Sequence, residues 1–130
     1  MYRILVIDDE ASICEALAVG LSSCGYQVDV ATSGVRGMML ASMNVYDVLV
    51  IDPCLSHMDG IEIIRKVKSG SPRVIPIVMT VRRSCESSER LLREGIEVCL
   101  EKPFEMKSLR SAVRNGLRER EREWQSPAAL

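Results

Sequence analysis

An open α/β fold, with a parallel sheet covered by helices on both faces, is what the sequence predicts, and three features predict it. Short apolar runs alternate with amphipathic stretches five times along the chain. The runs Ile4–Ile7 and Val48–Ile51 are rich in β-branched residues and have no polar interruption, as in strands buried on both faces. Most of the runs end on a residue able to do chemistry, and open α/β sheets place their ligands at the carboxyl ends of their strands.

The elements follow in order. Ile4 to Ile7 forms a first strand, closed by Asp8, Asp9 and Glu10. Residues 11–24 carry Ile13, Leu17 and Leu21 at helical spacing, and Gly25 ends that helix. Gln27 to Ala31 reads as a strand with Val28 and Val30 on one face. Ser33 is a helix cap for 34–44, a helix with Met38, Met39, Leu40 and Met43, of which the three methionines are read as core filling. Tyr46 to Gly60, YDVLVIDPCLSHMDG, is the central strand and the loop after it, with Asp52 at the junction. An aspartate before proline also starts turns, so Asp52 alone would not identify a site.

Gly60 opens a helix with Ile61, Ile64 and Val67 inward, and Lys66, Lys68, Ser69 and Gly70 close it. Val74 to Met79 is a strand ending at Thr80, with Pro76 confined to its start because proline cannot donate to a central ladder. Residues 83–94 form a thinly apolar, exposed helix. Ile96 to Leu100 is the last strand, followed by Glu101, Lys102, Pro103 and Phe104. From Glu105 onward Leu109, Val113 and Leu117 repeat every four residues, and the helix runs into the charged RERERE segment before fraying near Gln125.

The chain has 130 residues, which fits one domain able to bury roughly two thirds of its unfolded surface. Residues 1–120 are expected to form it, with 121–130 a tail or the start of a linker. A net charge of −1 gives no global attraction to nucleic acid or an anionic membrane. Basic residues of the last helix alternate with Glu119, Glu121 and Glu123, which reads as a salt-bridged exposed face. The amino terminus has a short apolar run before three acids, unlike a signal peptide or a membrane span. The 5 cysteines are scattered, without C-x-x-C spacing, and are read as reduced thiols of a cytoplasmic protein. His57 is expected in a solvent-facing loop.

In a parallel sheet the strand ends share one edge. Asp8 and Asp9, Asp52, Thr80 and Lys102 would therefore meet there. Clustered carboxylates repel, and Lys102 offsets only part of that. A hard divalent cation, best Mg²⁺, would offset the rest. A carboxylate beside Mg²⁺ and an ammonium can attack phosphorus, because both cations face the oxygens that gather charge in phosphoryl transfer. A threonine hydroxyl could then hydrogen-bond the phosphoryl group.

With these residues in view the sequence resembles the receiver (CheY-like) domain of two-component response regulators. The resemblance spans residues 2 to about 120 and rests on ILVIDDE, VLVIDPCLSHMDG, PIVMT and EKPF, with Gly95 seven residues before the lysine. It implies a flavodoxin-like, doubly wound sheet of strand order 2-1-3-4-5 with five helices. It implies phosphorylation of Asp52 by a sensor histidine kinase or phosphotransfer protein, with Mg²⁺. Asp9 would be a direct metal ligand, Asp8 mainly a ligand through water, and the Cys54 backbone carbonyl a third protein oxygen. Lys102 would contact the phosphoryl group, with a cis bond to Pro103, and Thr80 would move toward it. Such a domain catalyses only its own phosphoryl transfer and dephosphorylation and is otherwise no enzyme. A downstream effector domain or protein is the expected recipient of the signal, and a homodimer is common in the family.

Several positions depart from the family pattern. Val81 stands where a small residue is usual, Leu55 and Ser56 where Met-Pro is usual, and Cys99 where an aromatic is usual. Cys54 and Arg82 occupy the two positions that tune phosphate loss in the family. These departures keep open an atypical receiver that binds partners without phosphorylation. A phosphatase acting through an aspartyl intermediate would need Cys54 as its general acid.

Overall fold

The computed structural model describes residues 1–80, 88–96 and 98–125. Strands and helices alternate throughout: β1 (Arg3–Ile7), α1 (Ala11–Ser22), β2 (Gln27–Ala31), α2 (Gly34–Met43), β3 (Val48–Ile51), α3 (Gly60–Gly70), β4 (Ile75–Thr80), α4 (Ser88–Arg93), β5 (Val98–Glu101) and α5 (Met106–Gln125). All strand pairs are parallel, in the order β2-β1-β3-β4-β5. The doubly wound fold expected from the sequence is the one observed.

The central strands have no polar face. Leu5, Ile7, Leu49, Ile51 and Val78 point to one side, where they meet Ile61, Ile64 and Val67 of α3. Ile4, Val6, Val48, Val50, Ile77 and Met79 point to the other, against Leu17 and Leu21 of α1 and Leu109, Val113 and Leu117 of α5. Alternation of side chains along each strand thus splits one apolar run between two cores.

Some expectations need correction. Val30, on the edge strand β2, is 39% exposed. Met38 packs against the core, but Met39 and Met43 are 49% and 70% exposed, so α2 buries a narrower stripe than its methionines imply. Pro76 is the second residue of β4. Of the helix expected over 83–94, the described part is α4, and residues 81–87, with Val81, Arg82 and Cys85, lie outside the described residues.

The last helix is more firmly held than its charge pattern implies. Arg120 donates from Nη2 to Asp47 at 2.9 Å and from Nη1 to the Arg73 carbonyl at 3.2 Å, and its guanidinium lies over the Tyr2 ring. With its side chain only 12% exposed, Arg120 is an anchor, whereas Lys107, Arg114, Arg118 and Arg122 are exposed. The expected solvated basic face excludes Arg120.

Cys14, Cys24 and Cys99 are free thiols. Cys54 is disulfide-bonded, which corrects the expectation of a reduced thiol at that position. Spacing in the sequence carries no sign of it.

Candidate functional site

Backbone hydrogen bonds extend the sheet ladder past the formal strand ends. The Asp8 N–H donates to the Ala31 carbonyl at 3.1 Å, the Asp52 N–H to the Ile7 carbonyl at 3.0 Å, and the Lys102 N–H to the Thr80 carbonyl at 2.5 Å. Ile7 pairs with Ile51 in register, so Asp8 and Asp52 leave adjacent strands at the same level. Thr80 pairs with Glu101, which puts Lys102 directly beyond. The strand-end residues are therefore fixed by main-chain geometry before their side chains interact.

Lys102 joins two of the acids. Its Nζ donates to Asp8 Oδ2 at 2.6 Å and to Asp52 Oδ2 at 2.9 Å. Asp8 is fully buried, and its other oxygen accepts the Glu10 N–H at 2.9 Å. Asp52 is 15% exposed, and its Oδ1 accepts the Cys54 N–H at 2.9 Å. Burial of Lys102 by itself disfavours the ammonium, but hydrogen bonds and charge from Asp8 and Asp52 outweigh it, so the lysine pKa is raised. A buried ammonium with two carboxylate partners is a charge-assisted arrangement in which each hydrogen bond is shorter and stronger than a neutral one.

Asp9 is exposed. The Ser56 hydroxyl, from the loop after β3, donates to Asp9 Oδ2 at 3.2 Å. That contact joins the loop after β1 to the loop after the central strand. Ser56 stood out in the sequence as a departure, but nothing there pointed to Asp9 as its partner. Thr80 is half-buried at the end of β4, and the Lys102–Pro103 bond is cis, as the resemblance implied.

The loop from Pro53 to Asp59 is tightly folded. A Cβ on Gly60 would sit 2.7 Å from the Pro53 carbonyl oxygen, so only glycine allows this approach of backbone to backbone. Leu55 is buried, and exposed His57 has φ 69°, in the left-handed region. Asp59 caps α3 by accepting the Ile61 N–H at 3.0 Å and also accepts from Arg90 of α4 at 2.7 Å. Sequence reasoning missed Arg90, since its partner lies far away in the chain. The phosphatase reading loses its acid, because a disulfide sulfur at Cys54 has no proton to give.

Among the described residues no three acid, histidine or cysteine side chains enclose a metal position by themselves. The donors nonetheless suit Mg²⁺, which keeps several waters and takes only one or two carboxylates. One ammonium faces Asp8 and Asp52 together, and Asp9 is open to solvent beside them.

Comparison with known proteins agrees with this arrangement. The family model described as response regulator receiver domain matches residues 4–114. Response regulator MprA of Mycobacterium sp. (strain KMS) is 34% identical over 116 residues, 89% of this chain and 50% of that protein. The chain thus spans about half the length of the relatives of this kind. A CheY-like receiver domain protein from Methanospirillum hungatei JF-1 superposes with TM-score 0.87 at 27% identity, over 95% of this chain and 98% of that one. A structure of the beryllofluoride-activated NtrC4 receiver domain dimer gives TM-score 0.82 at 29% identity, over 92% and 99% of the two chains. With strand order, strand-end residues and family match in accord, the chain belongs to the response regulator receiver domains of two-component systems.

Proposed function

We propose that the chain is a phosphorylation-driven switch in which Asp52 accepts a phosphoryl group from phosphohistidine on a sensor histidine kinase or phosphotransfer protein. The observation that carries this reading is the Lys102 ammonium held between Asp8 and Asp52, at 2.6 and 2.9 Å. An Asp52 carboxylate oxygen attacks phosphorus, the phosphorus–nitrogen bond breaks, and the histidine nitrogen leaves with the electron pair. Charge gathers on the equatorial phosphoryl oxygens, and Lys102 is placed to follow it from the carboxylate to one of them. The Cys54 N–H holds Asp52 Oδ1 and so orients the attacking carboxylate. The Thr80 hydroxyl takes a hydrogen bond to the new group and shifts the segment that follows it.

Asp8, Asp9, Asp52 and the Cys54 carbonyl would hold Mg²⁺, which when bound supplies positive charge to the transferring oxygens. The domain catalyses only its own phosphorylation and the hydrolysis that reverses it. Its partners are the phosphodonor and an effector domain or protein downstream, and a homodimer is proposed on the likeness to the NtrC4 receiver. No direct contact with nucleic acid or membrane is proposed for a domain with net charge −1 and, among the described residues, no helix long and apolar enough to cross a membrane. A cytoplasmic location follows from this role.

The test is mass spectrometry after incubation with acetyl phosphate and Mg²⁺. A gain of about 80 Da is expected, one phosphoryl group, and Asp52→Asn should abolish it. If the parent gains nothing while Mg²⁺ still raises its melting temperature, the phosphorylation-independent binding module replaces this reading.

A further inference from the structure

The charges of α5 sort onto two sides of the helix. Glu119 and Glu123 line one cavity, with Arg73 and the start of β4, whereas Arg114, Arg118 and Arg122 line another, with Tyr2 and Tyr26. The salt-bridged alternation expected from the sequence does not form there. Among the described residues no carboxylate pairs with Arg114, Arg118 or Arg122. Glu121 lies in the same cavity, but its Oε1 is 3.7 Å from Arg120 Nη2. Arg110, next in the same row, donates to the Gly20 carbonyl at 3.3 Å. Arg110 and Arg120 thus hold the helix in place, and three exposed arginines beside them do not.

The cavity with the tyrosines has a volume of about 500 Å³, in the range of small-ligand sites. It lies at the amino ends of β1 and β2, the rim opposite Asp52. The Gln27 N–H donates to the Tyr2 carbonyl at 2.9 Å, and Arg3 pairs with Gln27, so Tyr2 and Tyr26 stand side by side just before the strands. Their ring centroids are 6.4 Å apart, with the rings tilted by 53°. Buried Leu117 adds an apolar lining. Burial pushes the Tyr26 phenol up while Arg114 and Arg118 pull against it, so both charges are felt at its hydroxyl. Phosphoryl transfer at Asp52 uses none of these groups.

We infer that this cavity binds a free nucleoside di- or triphosphate, with its base on the tyrosine rings and its phosphates on Arg114, Arg118 and Arg122. The inference does not depend on Asp52 being the acceptor. Aromatic rings stack on the flat face that every base has. Guanidiniums grip phosphate oxygens in pairs through a planar fork. Residues four apart rise about 6 Å along a helix, so a chain of two or three phosphates bridges neighbouring arginines better than a single phosphate does. The rings distinguish this ligand from inorganic polyphosphate or an acidic peptide, which would answer the arginines alone. Three arginines against one glutamate, itself shared with Arg120, make the cavity positive in a chain of net charge −1.

Isothermal titration calorimetry of the whole chain in EDTA tests it, since chelation removes any attachment of phosphates through a metal at Asp52. ATP should saturate a single site. Inorganic tripolyphosphate, which lacks the base, should bind about tenfold more weakly, and adenosine, which lacks the phosphates, should not saturate. Arg118→Met should weaken ATP about tenfold. Tyr26→Leu, apolar but without a ring, should bring ATP down to the affinity of tripolyphosphate. Lys107→Met removes the same charge from an exposed position of α5 outside the cavity and should leave the affinity unchanged. No saturable binding of ATP, equal affinities for ATP and tripolyphosphate, or an Arg118→Met protein that binds ATP like the parent would overturn the inference. So would tighter binding of a short oligodeoxyadenylate than of ATP, which would make this a surface for nucleic acid.

Discussion

Arg90 of α4 binds Asp59 at 2.7 Å through the carboxylate oxygen that the α3 cap leaves over, so one side chain ends a helix and fastens its neighbour. The two functions separate by mutation. Arg90→Ala removes a pair whose side chains are 43% and 36% exposed, and loss of that pair should cost about 0.5 kcal/mol or less. Asp59→Ala also removes the cap and should cost about 1 kcal/mol more. Asp59→Asn keeps a capping oxygen and should resemble Arg90→Ala. Urea denaturation of the three variants checks the order.

Lys102→Met should destabilise the domain by about 3 kcal/mol, because it strands the fully buried Asp8 without its cation. The sign of the pH dependence follows from the raised lysine pKa. Its contribution is complete below the ordinary value of 10.5 and is lost as pH rises through the higher folded value. The deficit of the variant against the parent should therefore hold steady through neutral pH and shrink only in strong alkali. Thermal melts across that range measure it.

Gly60→Ala should cost about 2 kcal/mol, since the new methyl meets Pro53 backbone and not a side chain that can turn away. The loop must shift to accept it, so phosphorylation by acetyl phosphate should slow as well. A variant that loses stability but keeps the parent rate would separate the Gly60 packing from the position of Cys54.

Arg120→Met keeps the alkyl stem but loses the contacts with Asp47 and the Arg73 carbonyl, at a cost of about 2 kcal/mol. Arg120→Lys should recover little of it, because an ammonium cannot reproduce a planar fork with two separated acceptors. Arg118→Met, one turn face away and exposed, should be nearly neutral. Calorimetry on the three decides.

The sequence made the sheet legible where a run is buried on both sides, as at Val48–Ile51, because such strands admit no polar residue. It made two residues of the candidate site legible for the same reason: Asp8 and Asp52 are the first polar residues after buried runs, whereas Lys102 follows Glu101 at the end of the half-exposed β5. Legibility failed where an outcome depends on what covers a face. Val30 and Met43 are apolar at the right period yet exposed, and Arg120 is charged in an alternating run yet half enclosed by Tyr2, Asp47 and Arg73. It failed again for contacts between loops, Ser56 with Asp9 and Arg90 with Asp59, which no local pattern encodes.

The Arg120 anchor also bears on how α5 can move. Asp47 and Arg73 precede β3 and β4, so the anchor grips the rim opposite the acceptor, while Met106 begins the helix shortly after Lys102. The intervening turns make a stiff rod of about 20 Å. Pinned at one extremity, such a rod cannot glide lengthwise. A nudge near Lys102 must swing it about a pivot, and a partner lying along its flank would sense an angle and not a translation.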